Sequence, residues 1–258
     1  RRKRTILKKI TTLVLVMMLV LTGTVMAATT FEKIKSTGKL KVALNATFPP
    51  FEFFDNEKKE YMGFDIDVAK ALAEAMGVEA EIINTAWDGI IPGLLSKQYD
   101  IIISAMTITE ERAKKVKFSD PYYYAGQIIV VREDQTGIEK PEDLSGKKAG
   151  VQIGTTGDFA ASEIAGVEVI RYDSIDLAVM ALQNKNIDAV VSDAPTMASY
   201  VQEKEGIKLT GEIFTAEEYG MAMRLEDTEL HEAVNAALAK LKESGKIQEF
   251  MNTWTGGK

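Results

Sequence analysis

Apolar and polar residues alternate with two different periods along most of this chain. Short, mostly apolar runs predict β-strands, and apolar residues spaced three or four apart predict α-helices. The predicted strands cover residues 40–44, 79–83, 99–104, 127–132, 148–152, 188–192 and 221–224. Three helices are predicted at residues 63–77, 87–97 and 174–184. Two more are predicted to begin near residues 109 and 156, and a final pair of helices is predicted to close the chain, the last ending at residue 254. This alternation is typical of α/β proteins with mostly parallel sheets, and Asp65 is expected to cap the first predicted helix.

Two segments of the chain repeat the same helix-to-strand pattern. Residues 94–104 (LLSKQYDIIIS) and 182–192 (LQNKNIDAVVS) carry Leu, Lys, Asp and Ser at matching places. Each of the two predicted strands ends in a serine, Ser104 or Ser192. The repetition indicates two similar open α/β lobes. Because ligands bind beyond the carboxyl ends of strands in such sheets, the residues after these serines are expected to face a shared cleft.

Groups of opposite charge follow the predicted strand ends. Arg112 lies shortly after the first serine-ended strand, Asp193 directly follows the second, and Thr155 and Thr156 follow the strand at 148–152. A guanidinium binds a carboxylate through two parallel hydrogen bonds, and amides at a helix start attract anions. An aspartate with nearby hydroxyls suits an ammonium group. Together these residues predict a receptor for a zwitterion, that is, an α-amino acid.

Each of these residues also has a purely structural interpretation. Taken alone, Arg112 is typical of a solvated helix arginine near Lys114 and Lys115, and Asp193 of a cap before Pro195. Thr155 and Thr156 could simply cap the start of a helix. The interpretation as a site depends on the joint pattern at three predicted strand ends.

The first 27 residues differ in character from the rest of the chain. They combine a basic head at residues 1–9, an apolar run at 13–21 and small residues at 25–27, which is the layout of a secretory signal. A membrane-spanning helix needs about 20 apolar residues, so a signal peptide cleaved near Ala27 is expected in preference to an anchor. Residues 21–23 begin like a lipoprotein signal, but Thr24 stands where the lipidated cysteine would be.

The charge balance narrows the possible partners. The net charge of the full sequence is −7. The first 27 residues hold six basic residues and no acidic ones, so the net charge becomes −13 when they are removed. So acidic a protein is a poor candidate for binding nucleic acid or an anionic membrane surface. The chain has no cysteine and a single histidine, His231, so we expect no disulfides, no zinc or iron site and no cofactor.

Five segments carry a family resemblance. They are ATFPPFEF (46–53), GFDIDVAKALA (63–73), WDGIIPGLLSKQYDIIISAMTITEERAKKVKFSDPYY (87–123), GVQIGTTG (150–157) and DAVVSDAP (188–195). In this order they resemble the amino-acid-binding proteins of ABC importers, which are periplasmic-type solute-binding proteins of the polar amino acid class. The resemblance covers essentially the whole chain after residue 27, and the long middle segment is its most specific part.

The resemblance implies an architecture. It is the two-lobed periplasmic binding protein type II fold, an α/β fold in which each lobe is an open, mostly parallel sheet flanked by helices. Two hinge strands, near residues 122–126 and 217–221, would join the lobes. Lobe 1 would comprise residues 28–124 and 220–258, and lobe 2 residues 125–219. We expect a monomer in the periplasm or on the outer face of the cytoplasmic membrane, with a membrane ABC transporter permease as its partner.

The resemblance also assigns roles to residues of the cleft. Arg112 would clamp the α-carboxylate of the ligand, helped by Thr107 and by the amide of Thr156. Asp193 would pair with the α-ammonium, assisted by the carbonyl of Ala105 and the hydroxyl of Thr107. The other expected lining residues are Asn45, Ser104, Gln152 and Thr155.

Two aromatic residues are expected to sandwich the ligand side chain. Phe48 follows one predicted strand end, and Trp87 begins a helix after another. For Phe51 and Phe53 the expectation is ordinary core packing. Relatives that bind glutamine or cationic amino acids often carry an acid where Asn45 stands. Asn45 adds no charge, which favours a neutral ligand such as glutamine over arginine, although Trp87 can stack on a guanidinium.

Two other functions fit the same fold. Some exported dehydratases of the cyclohexadienyl or arogenate type resemble it and use a carboxylic acid in the cleft as general acid. The amino-acid pair Arg112 and Asp193 argues for binding without catalysis. A sensing subunit of a membrane receptor would use the same cleft, and a fused transmembrane segment would favour that alternative.

Overall fold

The computed structural model describes residues 28–256. The predicted signal peptide at residues 1–27 therefore lies outside the described residues, as do residues 257–258. None of the helices in the described range is both long enough and apolar enough to span a bilayer.

Helices and strands alternate along the described chain, as the periodicity predicts. The helices are α1 (Thr30–Thr37), α2 (Phe64–Ala75), α3 (Ile90–Leu95), α4 (Glu110–Ala113), α5 (Thr156–Ser162), α6 (Ile175–Gln183), α7 (Ala194–Glu203), α8 (Thr228–Glu243) and α9 (Lys246–Thr255). The strands are β1 (Lys39–Leu44), β2 (Thr47–Phe48), β3 (Glu52–Asp55), β4 (Glu60–Met62), β5 (Glu79–Asn84), β6 (Ile101–Ile102), β7 (Val116–Phe118), β8 (Tyr123–Ala125), β9 (Gln127–Arg132), β10 (Lys148–Gln152), β11 (Glu168–Tyr172), β12 (Ala189–Asp193), β13 (Ile207–Thr210), β14 (Glu217–Tyr219) and β15 (Ala222–Arg224).

Two five-stranded sheets form the centres of two lobes. The first lobe is built on the order β5-β1-β6-β15-β7, and the second lobe on the order β11-β10-β12-β9-β13. In each sheet four strands run in one direction and a single strand, β15 or β9, opposes them. The predicted α/β class, with two similar and mostly parallel sheets, is confirmed.

The two lobes are connected through a pair of short strands. β8 and β14 pair antiparallel, with Tyr123 opposite Tyr219 and Ala125 opposite Glu217. Each of these strands leads directly into the opposing strand of a sheet, β8 into β9 and β14 into β15. We refer to β8 and β14 as the hinge strands. The resemblance implied crossings near residues 122–126 and 217–221, and the hinge strands lie in these two ranges.

One sequence prediction about α2 is wrong. Asp65 does not cap this helix, because the N-cap is Gly63 and Asp65 lies in the first turn with a fully buried side chain. Gly63 has φ of 129°, and a Cβ there would come within 2.2 Å of the carbonyl oxygen of Phe51. The chain approaches itself so closely here that α2 is set against the β2–β3 turn.

Aromatic side chains hold the β2–β3 segment, which lies beside the cleft, in place. Phe51 is fully buried and packs edge-on against Phe64, Tyr123 and Tyr219, with ring centroids 4.9 to 5.9 Å apart. Phe53 packs against Trp254. The predicted core role of Phe51 is confirmed, whereas Phe53 is only half-buried. The Phe51 cluster attaches the β2–β3 segment to the hinge strands.

Candidate ligand-binding site

A single cavity between the lobes gathers the residues predicted for the site. Its empty volume is about 320 Å³, including the space open to solvent at its mouth. The lining residues are Asn45, Phe48, Glu52, Trp87, Ser104, Ala105, Thr107, Arg112, Gln152, Thr155, Thr156 and Asp193. Every predicted site residue is thus at the cavity, and Glu52 is the lining residue that the sequence did not indicate.

Arg112 reaches the cavity from the one-turn helix α4. The Oγ1 of Thr109 caps this helix by accepting from the backbone N–H of Arg112 at 3.2 Å. The guanidinium is buried, and it donates to the carbonyl of Thr107 at 2.8 Å and across the cleft to the carbonyl of Gly154 at 3.3 Å. Burial lowers the pKa of Arg112, whereas the charges of Asp193 and Glu217 raise it. Arginine keeps its proton in proteins, so the cavity contains a fixed cation.

Asp193 lies at the end of β12 on the opposite side of the cavity. One carboxylate oxygen accepts from the amide nitrogen of Gln127 at 2.7 Å, and the other accepts from the Tyr219 hydroxyl. Burial and the charge of Glu217 raise the pKa of Asp193 to about 7. A cation that entered the cavity beside Asp193 would lower this pKa and be bound by the resulting carboxylate.

Glu217 on hinge strand β14 joins hydroxyl groups from both lobes. Its Oε2 accepts from Thr107 of the first lobe at 2.6 Å and from Thr156 of the second lobe at 2.8 Å. Its Oε1 accepts from Gln127 at 3.0 Å and from Thr215 at 3.1 Å. Because each hydroxyl donates its hydrogen to Glu217, Thr107 and Thr156 can only accept from a bound group, and Thr156 already accepts from Gln127 at 3.3 Å.

The lobes also touch at the far end of the cavity. The amide nitrogen of Gln152 in the second lobe donates to Oδ1 of Asn45 in the first, at 3.1 Å. Asn45 donates its own side-chain amide to the carbonyl of Thr85 at 3.0 Å. Both side chains are buried, so this end of the cavity presents neutral amide groups.

Two aromatic side chains complete the walls. Phe48 is buried and stacks on Phe51, with ring centroids 6.4 Å apart. Trp87 is half-buried, and the guanidinium carbon of Arg112 lies 5.3 Å from the centre of its ring. The tryptophan therefore holds the arginine through a cation–π contact as well as offering a flat surface to the cavity.

Glu52 and its neighbour Asp65 form a buried acidic pair beside the cavity. Oε1 of Glu52 accepts from the hydroxyl of Ser104 at 2.7 Å. Oδ2 of Asp65 accepts from the N–H of Ala105 at 2.6 Å and from the hydroxyl of Tyr122 at 2.9 Å. These contacts join residues far apart in the chain, so no local pattern in the sequence could have revealed them.

A family model and curated relatives match most of the chain. The model of bacterial extracellular solute-binding proteins, family 3, matches residues 40–257. The L-cystine-binding protein TcyJ of Escherichia coli (strain K12) is 36% identical over 228 residues, which are 87% of this chain and 85% of that protein. ABC transporter arginine-binding protein 1 of the same strain is 34% identical over 222 residues, covering 84% and 90% of the two chains.

Solved structures share the fold at higher identity. A mutant of ArgBP from T. maritima is 46% identical, with a TM-score of 0.83 over 87% of this chain and 98% of that one. An ancestral arginine-binding protein bound to glutamine is 44% identical, with a TM-score of 0.82 over 86% and 99%. The ancestral amino acid-binding protein AncCDT-1, described as a precursor of cyclohexadienyl dehydratase, is 39% identical, with a TM-score of 0.83 over 88% and 100%.

Proposed function

The chain belongs to the bacterial extracellular solute-binding proteins of family 3, and we propose that it captures a free polar L-amino acid between its lobes and delivers it to a membrane ABC transporter. One observation carries this proposal: Arg112 and Asp193, which come from different lobes, line the same cavity. A fixed cation on one wall, and on the opposite wall an acid that ionises beside an incoming cation, match the carboxylate and ammonium of an amino acid. The curated relatives described above are named as binding proteins and not as enzymes.

The contacts around the cavity support particular roles. Arg112 binds the α-carboxylate, aided by Thr107 and the N–H of Thr156. Asp193 and the carbonyl of Ala105 receive the α-ammonium, and the Thr107 hydroxyl can accept from it because its hydrogen is donated to Glu217. Phe48 and Trp87 enclose the ligand side chain, and the remaining lining residues surround its end.

Closure of the lobes about the hinge strands is the proposed mechanism. The lobes comprise residues 28–124 with 220–258, and residues 125–219. An open form binds ligand on the first lobe, and the second lobe then adds the contacts of Asp193 and Thr156. Because ligand shifts the equilibrium only through contacts that differ between the two forms, these second-lobe contacts drive closure. The transporter recognises the closed lobes, outside the membrane, after the signal at residues 1–27 has been removed.

The ligand side chain is glutamine-like or arginine-like. Asn45 and Gln152 offer neutral amide groups that suit the side-chain amide of glutamine. Glu52 adds a carboxyl group to the same cavity, and this feature favours arginine. The choice between the two ligands therefore depends on the protonation of Glu52.

Thermal unfolding of residues 28–258 with each common amino acid tests the proposal. A ligand that binds the folded state alone stabilises it by about 2.7 kcal/mol at 100 times its dissociation constant. We expect a clear rise in Tm with glutamine, arginine or both. The protein is unfolded and refolded beforehand to remove any ligand carried over from expression. A folded protein whose Tm responds to no amino acid would refute the proposed function.

A further inference from the structure

Glu52 and Asp65 each keep one oxygen atom without a donor. Oε2 of Glu52 and Oδ1 of Asp65 are buried and have no hydrogen-bond partner among residues 28–256. The two carboxyl groups are neighbours, because their other oxygens accept from the consecutive residues Ser104 and Ala105. Two carboxylates cannot hydrogen-bond to one another unless one carries a proton. A single proton shared by the two carboxyl groups would give both of them a hydrogen-bond partner. The proton resides mainly on Glu52, because the other oxygen of Asp65 already accepts two hydrogen bonds.

The surroundings of this pair favour protonation. Glu52 is 1% exposed and Asp65 is fully buried. Burial, followed by the charge of Asp65, raises the pKa of Glu52 well above its ordinary value, and burial raises the pKa of Asp65 to about 7. The other groups that face the pair are the hydroxyl groups of Ser104 and Tyr122 and, from the second lobe, the acid Asp193.

The pair adjoins the part of the cavity proposed to receive the ligand side chain. The N–H of Asn45 donates to the Oγ of Ser104 at 3.0 Å, and this hydroxyl in turn donates to Glu52. Gln152 reaches the same point by its bond to Asn45. A cationic side chain that entered here would meet the carboxyl of Glu52.

We propose, on the basis of the function proposed above, that the Glu52–Asp65 pair adjusts its proton content to the charge of the bound side chain. The pair keeps its shared proton when the ligand side chain is neutral. It releases the proton to bulk water when a guanidinium or ammonium arrives, because the cation and the proton compete for the same lone pairs and supply the same positive charge. No covalent bond changes other than the O–H bond of the carboxyl group. The pair thereby allows one cavity to accept both arginine and glutamine.

Calorimetry with arginine and citrulline tests this proposal. The two ligands have the same length, but citrulline carries a neutral ureido group in place of the guanidinium. Titrations at pH 7 in phosphate and in Tris, which differ in ionisation enthalpy, give the number of protons released. We expect arginine to release more protons than citrulline, by up to one per ligand. Protons that come from Asp193 cancel in this difference, because both ligands carry the same α-ammonium. If citrulline does not bind, glutamine serves as the neutral ligand.

Variants locate the proton. In Glu52→Gln we expect the excess release by arginine to disappear and arginine affinity to fall at least tenfold, with a smaller change for the neutral ligand. Glu60→Gln removes an exposed carboxyl from the same small sheet and serves as the matched control. The proton count of the unmodified protein decides the matter even if Glu52→Gln does not fold.

Several outcomes would overturn the inference. Equal proton release by arginine and the neutral ligand would do so, as would an arginine excess that survives in Glu52→Gln. Binding of neutral amino acids with no binding of arginine would overturn it while leaving the proposed function standing. Failure to bind any amino acid would instead refute the proposed function.

Discussion

Two buried arginines show how the same residue serves two different purposes in this protein. Arg224 lies in the first lobe, where it donates to the carbonyls of Leu94 and Tyr99 and pairs with Asp227 at 2.7 Å. These hydrogen bonds hold β15 against the end of α3 and the segment that joins it to β6. Arg112 faces the cavity, and among the described residues its guanidinium hydrogen-bonds to two carbonyl oxygens and lies over the ring of Trp87, with no carboxylate paired to it. Its charge is therefore available to a ligand.

Replacement of Arg112 by alanine should weaken ligand binding by roughly 30-fold or more without unfolding the protein. Loss of a charged hydrogen-bonding partner for a buried carboxylate costs about 2–5 kcal/mol, roughly a 30-fold to several thousand-fold loss of affinity. Calorimetry measures the affinity, and thermal unfolding without ligand measures the stability. Lys114→Ala makes the same change of charge at an exposed position two residues away and should leave affinity unchanged. Unchanged affinity in Arg112→Ala would remove this residue from the site.

The residues at the cavity differ in how far the sequence could predict them. Arg112 and Asp193 follow predicted strand ends, so general rules about parallel sheets placed them near the cleft. Glu52 lies in a short apolar segment, and its partner Asp65 has the ordinary appearance of a helix cap. The contact between Glu52 and Asp65 depends on the approach of α2 to the β2–β3 turn at Gly63, which is a tertiary event without a local pattern.

At the scale of single elements, strands and helices at the cavity are shorter than the periodicity predicts. The apolar run at 99–104 predicts a full strand, but the sheet contains only Ile101–Ile102. Ala105 has φ of 43°, a left-handed conformation that turns the chain out of the sheet and toward the cavity. The predicted helix at residue 109 is likewise a single turn, Glu110–Ala113. Hydrophobic patterns predict where the chain is buried and cannot indicate where such backbone turns interrupt an element.

The hinge strand β14 contributes a second element-scale feature. The resemblance implied a crossing near residues 217–221, and β14 covers Glu217–Tyr219. The resemblance gave no role to Glu217, whose carboxylate accepts hydrogen bonds from hydroxyl groups of both lobes. These bonds exist together only when the lobes are close, so Glu217 stabilises the closed arrangement.

Replacement of Glu217 by glutamine should weaken ligand binding by promoting the open form. The amide retains one acceptor oxygen but places an N–H₂ group where Thr107 and Thr156 donate, or against Gln127. Hydrogen bonds to charged groups contribute about 1.5–3 kcal/mol, so affinity should fall by roughly tenfold or more. Calorimetry and the radius of gyration from X-ray scattering measure the two effects. Glu218→Gln, at the exposed neighbouring position on the same strand, is the control. If both variants bind equally well, Glu217 has no part in closure.

At the scale of the whole molecule, the buried acids make stability depend on pH. Folding raises the pKa of Asp65 and Asp193 to about 7 and that of Glu52 well above its ordinary value. Between about pH 4 and pH 7 the folded protein therefore holds protons that the unfolded chain has lost, and stability falls as pH rises through this range. Each such carboxyl contributes up to about 1.4 kcal/mol per pH unit.

Urea unfolding at pH 5, 6, 7 and 8 without ligand checks this dependence. We expect the free energy of unfolding to be larger at pH 5 than at pH 8. Asp65→Asn should reduce the slope, because it removes one of the buried carboxyl groups whose pKa is raised. A free energy of unfolding that is constant or rises over this range would contradict the assignment of protonated acids.

The periodicity predicted two similar lobes, whereas only the family resemblance indicated how they are connected. The repeated segments at 94–104 and 182–192 correspond to α3 with β6 and to α6 with β12, which occupy equivalent places in the two sheets. The similarity of the lobes is visible in the periodicity because the two segments place apolar residues at the same positions of a helix and a strand. Which strand opposes the others in each sheet depends on the path of the hinge strands, and the periodicity does not specify that path.

The strand order of the first sheet has a consequence for the time course of synthesis. β6 and β7 are not paired with each other, and β15 fills the place between them. The second sheet needs only residues up to Thr210, so a chain that emerges from the ribosome can complete it early. The first sheet must wait, with open edges, until Arg224 has emerged. The half of the protein that begins to be made first is thus the last that can finish folding.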